Sequence, residues 1–265
     1  MTGKLSVITG GSSGLGLALG RALAAQGDRV ILVARNPLKL EAARDAIARD
    51  TACDTIGCAV ADVSLADEVQ AVMDSIAAEH GGIDQLINSA GIMREGYFES
   101  LTDADFHQVL DINLFGTVNC IRAALPHLKR SRGRIVNIAS VASLTGVFGY
   151  SAYCASKHAL KGLSESLYHE LGRYGIRVQL ICPPEFESPM VDALEQGRSP
   201  ENAAHSLMIP RQPVEVIVKE TLAAMQTDRF QTIPGHAARV MGFALQHFPA
   251  LSRWQARRTI ARASK

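Results

Sequence analysis

Six short apolar runs recur along the chain, each separated from the next by a longer helical pattern. This alternation restricts the fold more than any other feature. The runs are LSVIT from Leu5, RVILVA from Arg29, IGCAVA from Ile56, DQLINSA from Asp84, GRIVNIAS from Gly133 and IRVQLIC from Ile176. Most are nearly continuous in apolar residues, as strands covered on both faces are. Between them, residues 15–26, 37–49, 65–80, 103–129 and 151–174 carry helical spacing. The pattern predicts a parallel sheet with right-handed crossovers and helices on both faces. FQTIP, from Phe230, offers a seventh strand. With no Ser/Pro-rich linker and no repeat, the expectation is a single doubly wound α/β domain.

The chain of 265 residues is long enough for one large domain. Its net charge of +1 argues against a protein built as a whole to bind nucleic acid. The five cysteines (Cys53, Cys58, Cys120, Cys154 and Cys182) form no C-x-x-C pair, which suggests free thiols in a reducing cytosol. The first residues run straight into a strand pattern, without the look of a secretory signal. No stretch approaches the roughly 20 apolar residues needed to span a bilayer. A cytoplasmic protein is expected, with no metal site.

After the sixth strand the pattern loosens. Prolines stand at 183, 184, 189, 200, 210 and 213. Residues 184–212 read as a partly helical excursion of the kind that forms substrate lids. A clear helix follows at about 214–226, and the last 30 residues look helical with a break at Pro249. The division expected is a domain over 1–235 and a basic extension over 236–265.

The first strand leads into VITGGSSGLGLALG and a helix. Gly10, Gly14 and Gly16 stand where the chain turns tightly, with Ser12 and Ser13 between them. A side chain at these glycines would hold a pyrophosphate away from the backbone N–H groups and the helix N-terminus. The spacing is G-x-x-x-G-x-G, and the strand–turn–helix context suits phosphate cradling. The second strand ends in Ala34 and Arg35, about 20 residues past the glycines, where NAD-binding folds carry an acid for the ribose hydroxyls. No Asp or Glu occurs from 29 to 40. Arg35 attracts a 2′-phosphate where an acid would repel it, and Lys39 can add a second charge. NADP(H) is the expected cofactor.

Tyr153 precedes Lys157 by four residues and Tyr150 precedes it by seven, inside one helical pattern. Both spacings share a helix face. Geometry therefore permits either tyrosine as a partner of the lysine.

The glycine loop from Thr9 to Gly16, NSAG at 88–91, Asn113 in INLFG, Ser140 after a strand and Tyr153-x-x-x-Lys157 together resemble the short-chain dehydrogenase/reductase family over about residues 4–190. The resemblance implies a Rossmann-type sheet of seven strands and NAD(P)-dependent oxidation or reduction of alcohols and ketones. It implies that Asp62 meets the adenine, that Asn88, Ala90, Gly91 and Pro183 belong to the cofactor cleft, and that relatives are commonly oligomers. It also makes Tyr153 the catalytic acid, with Ser140 thirteen residues before it, and Tyr150 a wall of the substrate pocket. The chemistry agrees. A phenol with an ordinary pKa near 10 is a usable acid; the Lys157 ammonium and the positive nicotinamide are expected to lower that value, and Lys157 to reach the cofactor ribose. Ser140 can hydrogen-bond the substrate oxygen where negative charge develops. Asn113 is expected to hold a relay water beside Lys157.

GVFGYSAYCASKHALKGLSESL and CPPEFESPMV are most similar to 3-ketodihydrosphingosine reductases. That implies a ketone or secondary alcohol substrate, of 3-keto lipid type. A 3-oxoacyl-carrier-protein reductase or a broad secondary-alcohol dehydrogenase is the alternative. A non-catalytic NADP-binding regulator would fit poorly with the full set Asn113, Ser140, Tyr153 and Lys157. Finally, Val240, Met241, Ala244, Leu245, Phe248, Leu251 and Trp254 recur at spacings of three or four, followed by Arg253, Arg257, Arg258, Arg262 and Lys265. Such a tail suits an anionic membrane surface, or packing on its own core or a partner subunit.

Overall fold

Seven parallel strands form the centre of the computed structural model, which describes residues 3–51 and 55–265. They are β1 (Leu5–Thr9), β2 (Arg29–Ala34), β3 (Ile56–Val60), β4 (Gln85–Asn88), β5 (Arg134–Ile138), β6 (Arg177–Ile181) and β7 (Gln231–Thr232), in the order β3-β2-β1-β4-β5-β6-β7. Each of the six sequence runs became a strand, and FQTIP supplies the short seventh. β1 and β5 are buried throughout, as continuous apolar runs require. Successive side chains alternate between faces. Leu5 and Val7 enter one core layer, whereas Ile8 enters the other.

Eleven α-helices are described: α1 (Gly14–Ala25), α2 (Pro37–Thr51), α3 (Ala66–His80), α4 (Asp103–Leu110), α5 (Gly116–Ser131), α6 (Ser151–Leu171), α7 (Pro189–Glu195), α8 (Pro200–Ser206), α9 (Val214–Met225), α10 (His236–His247) and α11 (Pro249–Ala263). α3 and α5 pack on one face of the sheet, with Met73, Ile76, Ile121 and Leu128 in that layer. α1, α2 and α9 pack on the other, through Leu19, Leu40, Ile47 and Ile217. The strand order reverses between β1 and β4, and the crevice above that reversal is where ligands bind in open α/β sheets.

The expected helix over 103–129 is interrupted by a π-turn at Asp111–Phe115. The extra residue in that turn is compatible with the helical spacing of the sequence, which is why spacing alone did not show it. Single π-turns frequently mark functional sites, and this one carries Asn113.

The break at Pro249 separates α10 from α11, and neither helix stands free of the body. Gly242 lies so close to Ile233 that a Cβ there would meet Ile233 Cδ1 at 2.5 Å. α11 runs beside α8. The apolar stripe of the tail is split between two environments. Met241 and Leu245 line the cleft described below, while Val240, Phe248, Leu251 and Trp254 are exposed, as is Phe243 beside them. Among the described residues no helix is long and apolar enough to cross a membrane. Cys58, Cys120, Cys154 and Cys182 are free thiols, and Cys53 lies outside the described residues.

Candidate active site

A cavity of about 620 Å³ opens at the carboxyl ends of the strands. At its floor the Thr9 hydroxyl accepts the N–H groups of Ser89 and Ala90 at 3.1 and 3.2 Å, tying the end of β1 to the end of β4. The glycine loop lies against this tie. Gly10 has φ of +67°, and a Cβ there would sit 2.8 Å from Ala90 Cα. A Cβ on Gly16 would meet the Gly10 carbonyl oxygen at 2.4 Å. Gly10, Ser12, Ser13 and Gly14 line the cavity, whereas Gly16 stands behind the loop. Its role is to let the loop close on α1, a correction to the expected ligand contact. Ser13, at the N-cap of α1, makes no side-chain cap. The first amides of α1 therefore point at the cleft unsatisfied by a hydroxyl, which is the arrangement that receives a phosphate.

On the β2–β3 side, Ala34, Arg35, Lys39 and Asp62 line the cavity. Arg35 Nη1 lies 3.4 Å from Asp62 Oδ2 and remains largely exposed. Burial disfavours the Asp62 carboxylate, but two hydrogen bonds from Ser64 and the nearby Arg35 bring its pKa below the usual carboxylate range. Of the NSAG segment, Ser89, Ala90 and Gly91 line the cavity, as does Pro183 beyond β6. Asn88 does not. It is buried within β4, and its amide donates to Asn137 Oδ1 at 2.8 Å. That bond ties β4 to β5 and leaves Asn88 Oδ1 without a hydrogen-bond partner among the described residues.

Ser140, Tyr150, Tyr153 and Lys157 meet at the β5–β6 end of the same cavity. β5 delivers Ser140 to the cap of a short 3-10 turn, where its Oγ accepts the Ala142 N–H at 3.1 Å. α6 carries Tyr153 and Lys157 on successive turns. The Ser140 hydroxyl lies close enough to Tyr153 to favour its phenolate. Burial pushes the Tyr153 phenol up, and the Ser140 hydroxyl only partly opposes it. Burial thus holds the phenol protonated, and the expected lowering is a matter for the positive nicotinamide and the Lys157 cation together. Burial acts in the opposite sense on Lys157 and brings it down to about 8. Lys157 Nζ donates to the Ile138 carbonyl at 3.0 Å and lies 5.6 Å from the centre of the Tyr153 ring.

The Tyr150 ring stands edge-on to Tyr153 at 5.8 Å. Its hydroxyl is buried without a hydrogen bond of normal geometry, and burial pushes it up to about 12. Asn113 does not line the cavity. Its Oδ1 accepts the Ile92 N–H at 2.8 Å, and its amide donates to the Ile92 carbonyl and to Ser156 Oγ. Both ends of the side chain are engaged, so Asn113 fixes the turn after β4, beside Gly91, which Lys157 Nζ also approaches.

Three features of the site escaped the sequence reading. Arg198, whose side chain is only 4% exposed, donates to both carboxylate oxygens of Glu185 at 3.0 and 2.8 Å and to Glu195 at 2.7 Å. Arg211 closes on the same two acids. His205, from α8, lines the cavity and accepts the Phe148 N–H on Nδ1 at 3.1 Å, which leaves Nε2 to carry the proton. α11 contributes Arg253, Ala256, Arg257 and Ile260 to the cavity wall. Sequence gives no measure of which charges meet across a folded loop.

A parallel sheet with a phosphate cradle at one end of its crevice and a Ser–Tyr–Lys cluster at the other defines a dinucleotide-dependent oxidoreductase. Comparison makes the class particular. The chain belongs to the short chain dehydrogenase family, whose model matches residues 4–199. It is 34% identical over 230 residues to the 3-ketodihydrosphingosine reductase of Bos taurus, covering 84% of this chain and 69% of that one. It is 32% identical over 242 residues to the 3-oxoacyl-[acyl-carrier-protein] reductase FabG of Staphylococcus aureus, covering 90% and 97%. A single-residue variant of the actinorhodin polyketide ketoreductase, solved with NADPH, superposes with a TM-score of 0.79 at 28% identity, covering 89% of this chain and 97% of that one. The chain is accordingly an oxidoreductase acting between CH–OH and C=O groups.

Proposed function

We propose that this enzyme reduces a ketone with a substantial apolar body, using NADPH. The observation that carries the reading is the junction of Ser140, Tyr153 and Lys157 with an apolar chamber. Met93, Val147, Met190, Val191, Met208, Ile209, Met241 and Leu245 all line the cavity that these three residues face. Bound NADPH would supply the hydride and, once oxidised, a positive ring. Ser140 donates a hydrogen bond to the substrate oxygen as charge develops on it. Tyr153, held protonated, gives its proton to the same oxygen. Lys157 provides the cation that stabilises the resulting phenolate. Residues 184–212, with α7 and α8, act as the substrate lid, and residues 236–265 as an extension closing the pocket wall.

A 3-keto lipid such as 3-ketodihydrosphingosine and a 3-oxoacyl group on a carrier protein both belong to this substrate class. NADPH consumption over ketones graded in chain length tests it. Specific activity should rise with chain length. Flat activity across the series would favour a broad secondary-alcohol dehydrogenase, and tight NADPH binding with no turnover would favour a non-catalytic regulator.

The cradle and the charges beside it fit NADP(H). Arg35 and Lys39 are the groups that would receive the 2′-phosphate, and a charge-assisted hydrogen bond of about 1.5–3 kcal/mol corresponds to about one to two decades in affinity. In a fluorescence titration Arg35→Asp should weaken NADPH by that amount and leave NADH less affected or improved. A wild-type enzyme that already prefers NADH would show the reading of the second strand to be wrong.

We further propose that the outer face of α10 and α11 rests on an anionic bilayer. Val240, Phe243, Phe248, Leu251 and Trp254 are each more than half exposed. Arg258 lies over the Trp254 ring at 5.5 Å, and no acidic residue follows Asp228. Removing the tail would also strip the pocket wall, so the test keeps the full chain. Leu251→Glu/Trp254→Glu should abolish co-sedimentation with anionic vesicles, and added salt should weaken the wild-type binding. Equal sedimentation of the two proteins, or loss of a dimer or tetramer in the variant without any vesicle binding by the wild type, would assign the face to a second copy instead.

A further inference from the structure

α11 brings two guanidinium groups to the substrate end of the cavity. Arg253 and Arg257 are four residues apart, so they share a face, and both line the cavity together with Ala256 and Ile260. Neither guanidinium has an ion-pair or hydrogen-bond partner among the described residues; the arginines of the tail that do make contacts are Arg239, with Glu220, and Arg258, with Trp254.

The charge is also uncompensated by the cavity itself. Its acidic lining residues are Asp62 and Glu185. Asp62 faces Arg35, and Glu185 is already held by Arg198 and Arg211. Two exposed arginines, beside Ser252, Ala256 and Ile260 and next to the α8 helix that carries His205, form a place where an anion gains from both charges at once.

This place is distinct from the one suited to the cofactor's 2′-phosphate. Arg35 and Lys39 follow β2, whereas α11 follows β7, at the far edge of the sheet. β2 and β7 are five strand spacings apart, roughly 24 Å. α11 packs on α8, which carries His205, and α10 approaches Leu144 beside the Ser140 turn. The arginines therefore belong to the chamber that receives the ketone.

We propose that Arg253 and Arg257 form an anion subsite, and that the substrate is an amphiphile with its ketone at Ser140 and Tyr153, an apolar body along the chamber, and a carboxylate or phosphate at the α11 end. The inference rests on the ketoreductase reading and narrows its substrate class. It disfavours a substrate whose only charge is a cation.

The test compares an oxo fatty acid, its methyl ester and the matching oxoalkyl phosphate at equal chain length. In the wild type, kcat/KM for the acid or the phosphate should exceed that for the ester by about tenfold or more. Whichever of the two anions is favoured identifies the group the subsite takes. Arg253→Gln/Arg257→Gln should bring the ratio of anion to ester to about one. Equal rates for acid and ester in the wild type, or a ratio that survives in the double variant, would overturn the proposal. So would a loss of NADPH affinity in the double variant, which would assign the arginines to the cofactor. If the wild type binds NADPH yet turns over none of the three, the ketoreductase reading fails by itself. The subsite is then decided by thermal protection of the NADP⁺-loaded protein. The acid must protect the wild type more than the ester does, and not the double variant; equal protection overturns it.

Discussion

Tyr153→Phe lowers turnover by about 10²–10⁴-fold while NADPH affinity stays nearly unchanged. The substitution keeps the ring that packs against Tyr150 and removes the hydroxyl beside Ser140. Loss of a positioned general acid alone is worth that range. The raised pKa of Tyr153 sharpens the expectation for the reductive direction, because the phenol is protonated across the whole neutral range. The pH limit then comes from Lys157. Its pKa is lowered by burial to about 8, so it is charged below that value and neutral above it. The cation is what stabilises a phenolate left by proton transfer. kcat/KM for reduction should accordingly be level through neutrality and fall as the pH rises through about 8. Tyr150→Phe should cost far less, since it deletes a buried hydroxyl that makes no hydrogen bond of normal geometry. Single-turnover oxidation of NADPH by the three proteins measures this. Equal losses at both tyrosines would mean that the acid is misassigned.

The parts of the site that lay open to sequence reading are those set by local geometry. A strand that ends in glycines and turns into a helix has few places for its backbone to go, so the cradle could be read from Gly10, Gly14 and the pattern around them. Tyr153 and Lys157 lie on one helix, and a spacing of four fixes their proximity. What stayed hidden is what the rest of the fold does to a residue. Asn88 lies within a motif next to the cleft, yet a register that sets it opposite Asn137 turns its amide into the sheet. Tyr153 was expected to have a lowered pKa from the charge one turn away. Burial is the largest influence on this phenol, and burial is a property of the surrounding layers. The tail gave a single apolar stripe in sequence. Only the packing of α10 on Ile233 and Leu144 divides it into an inner part, Met241 and Leu245, that lines the cavity and an outer part that is exposed.

The lid gives the sharpest case of a site feature without a sequence signature, and its removal has the second large effect. Arg198 is the hub of residues 184–212. Beyond Glu185 and Glu195 it donates to Asn202 Oδ1 at 2.8 Å and bonds Ser206. It thereby joins the chain leaving β6 to α7 and α8 at once. Arg198→Met removes the charge and the fork but keeps much of the apolar stem. Breaking a buried pair costs about 3–5 kcal/mol; the low end applies, since Arg211 still faces both acids. The cost should fall on the lid rather than on the whole protein. α7 and α8 bury only Val191 and Asn202, so the segment can open while the sheet and its two core layers stay folded. A loss of about 3 kcal/mol confined to that equilibrium raises the open population by about two decades. Limited proteolysis between Glu187 and Gln212 should therefore accelerate by about 10²-fold, with KM rising more than kcat falls. Arg198→Lys should lie between, because a single ammonium replaces the charge but cannot bond both oxygens of Glu185 and the other acceptors together. A coupling with Glu185→Gln in a double-mutant cycle identifies the pair responsible. Cleavage at the wild-type rate in Arg198→Met would show that the lid is held by its packing and its bonds to Glu95, not by this network.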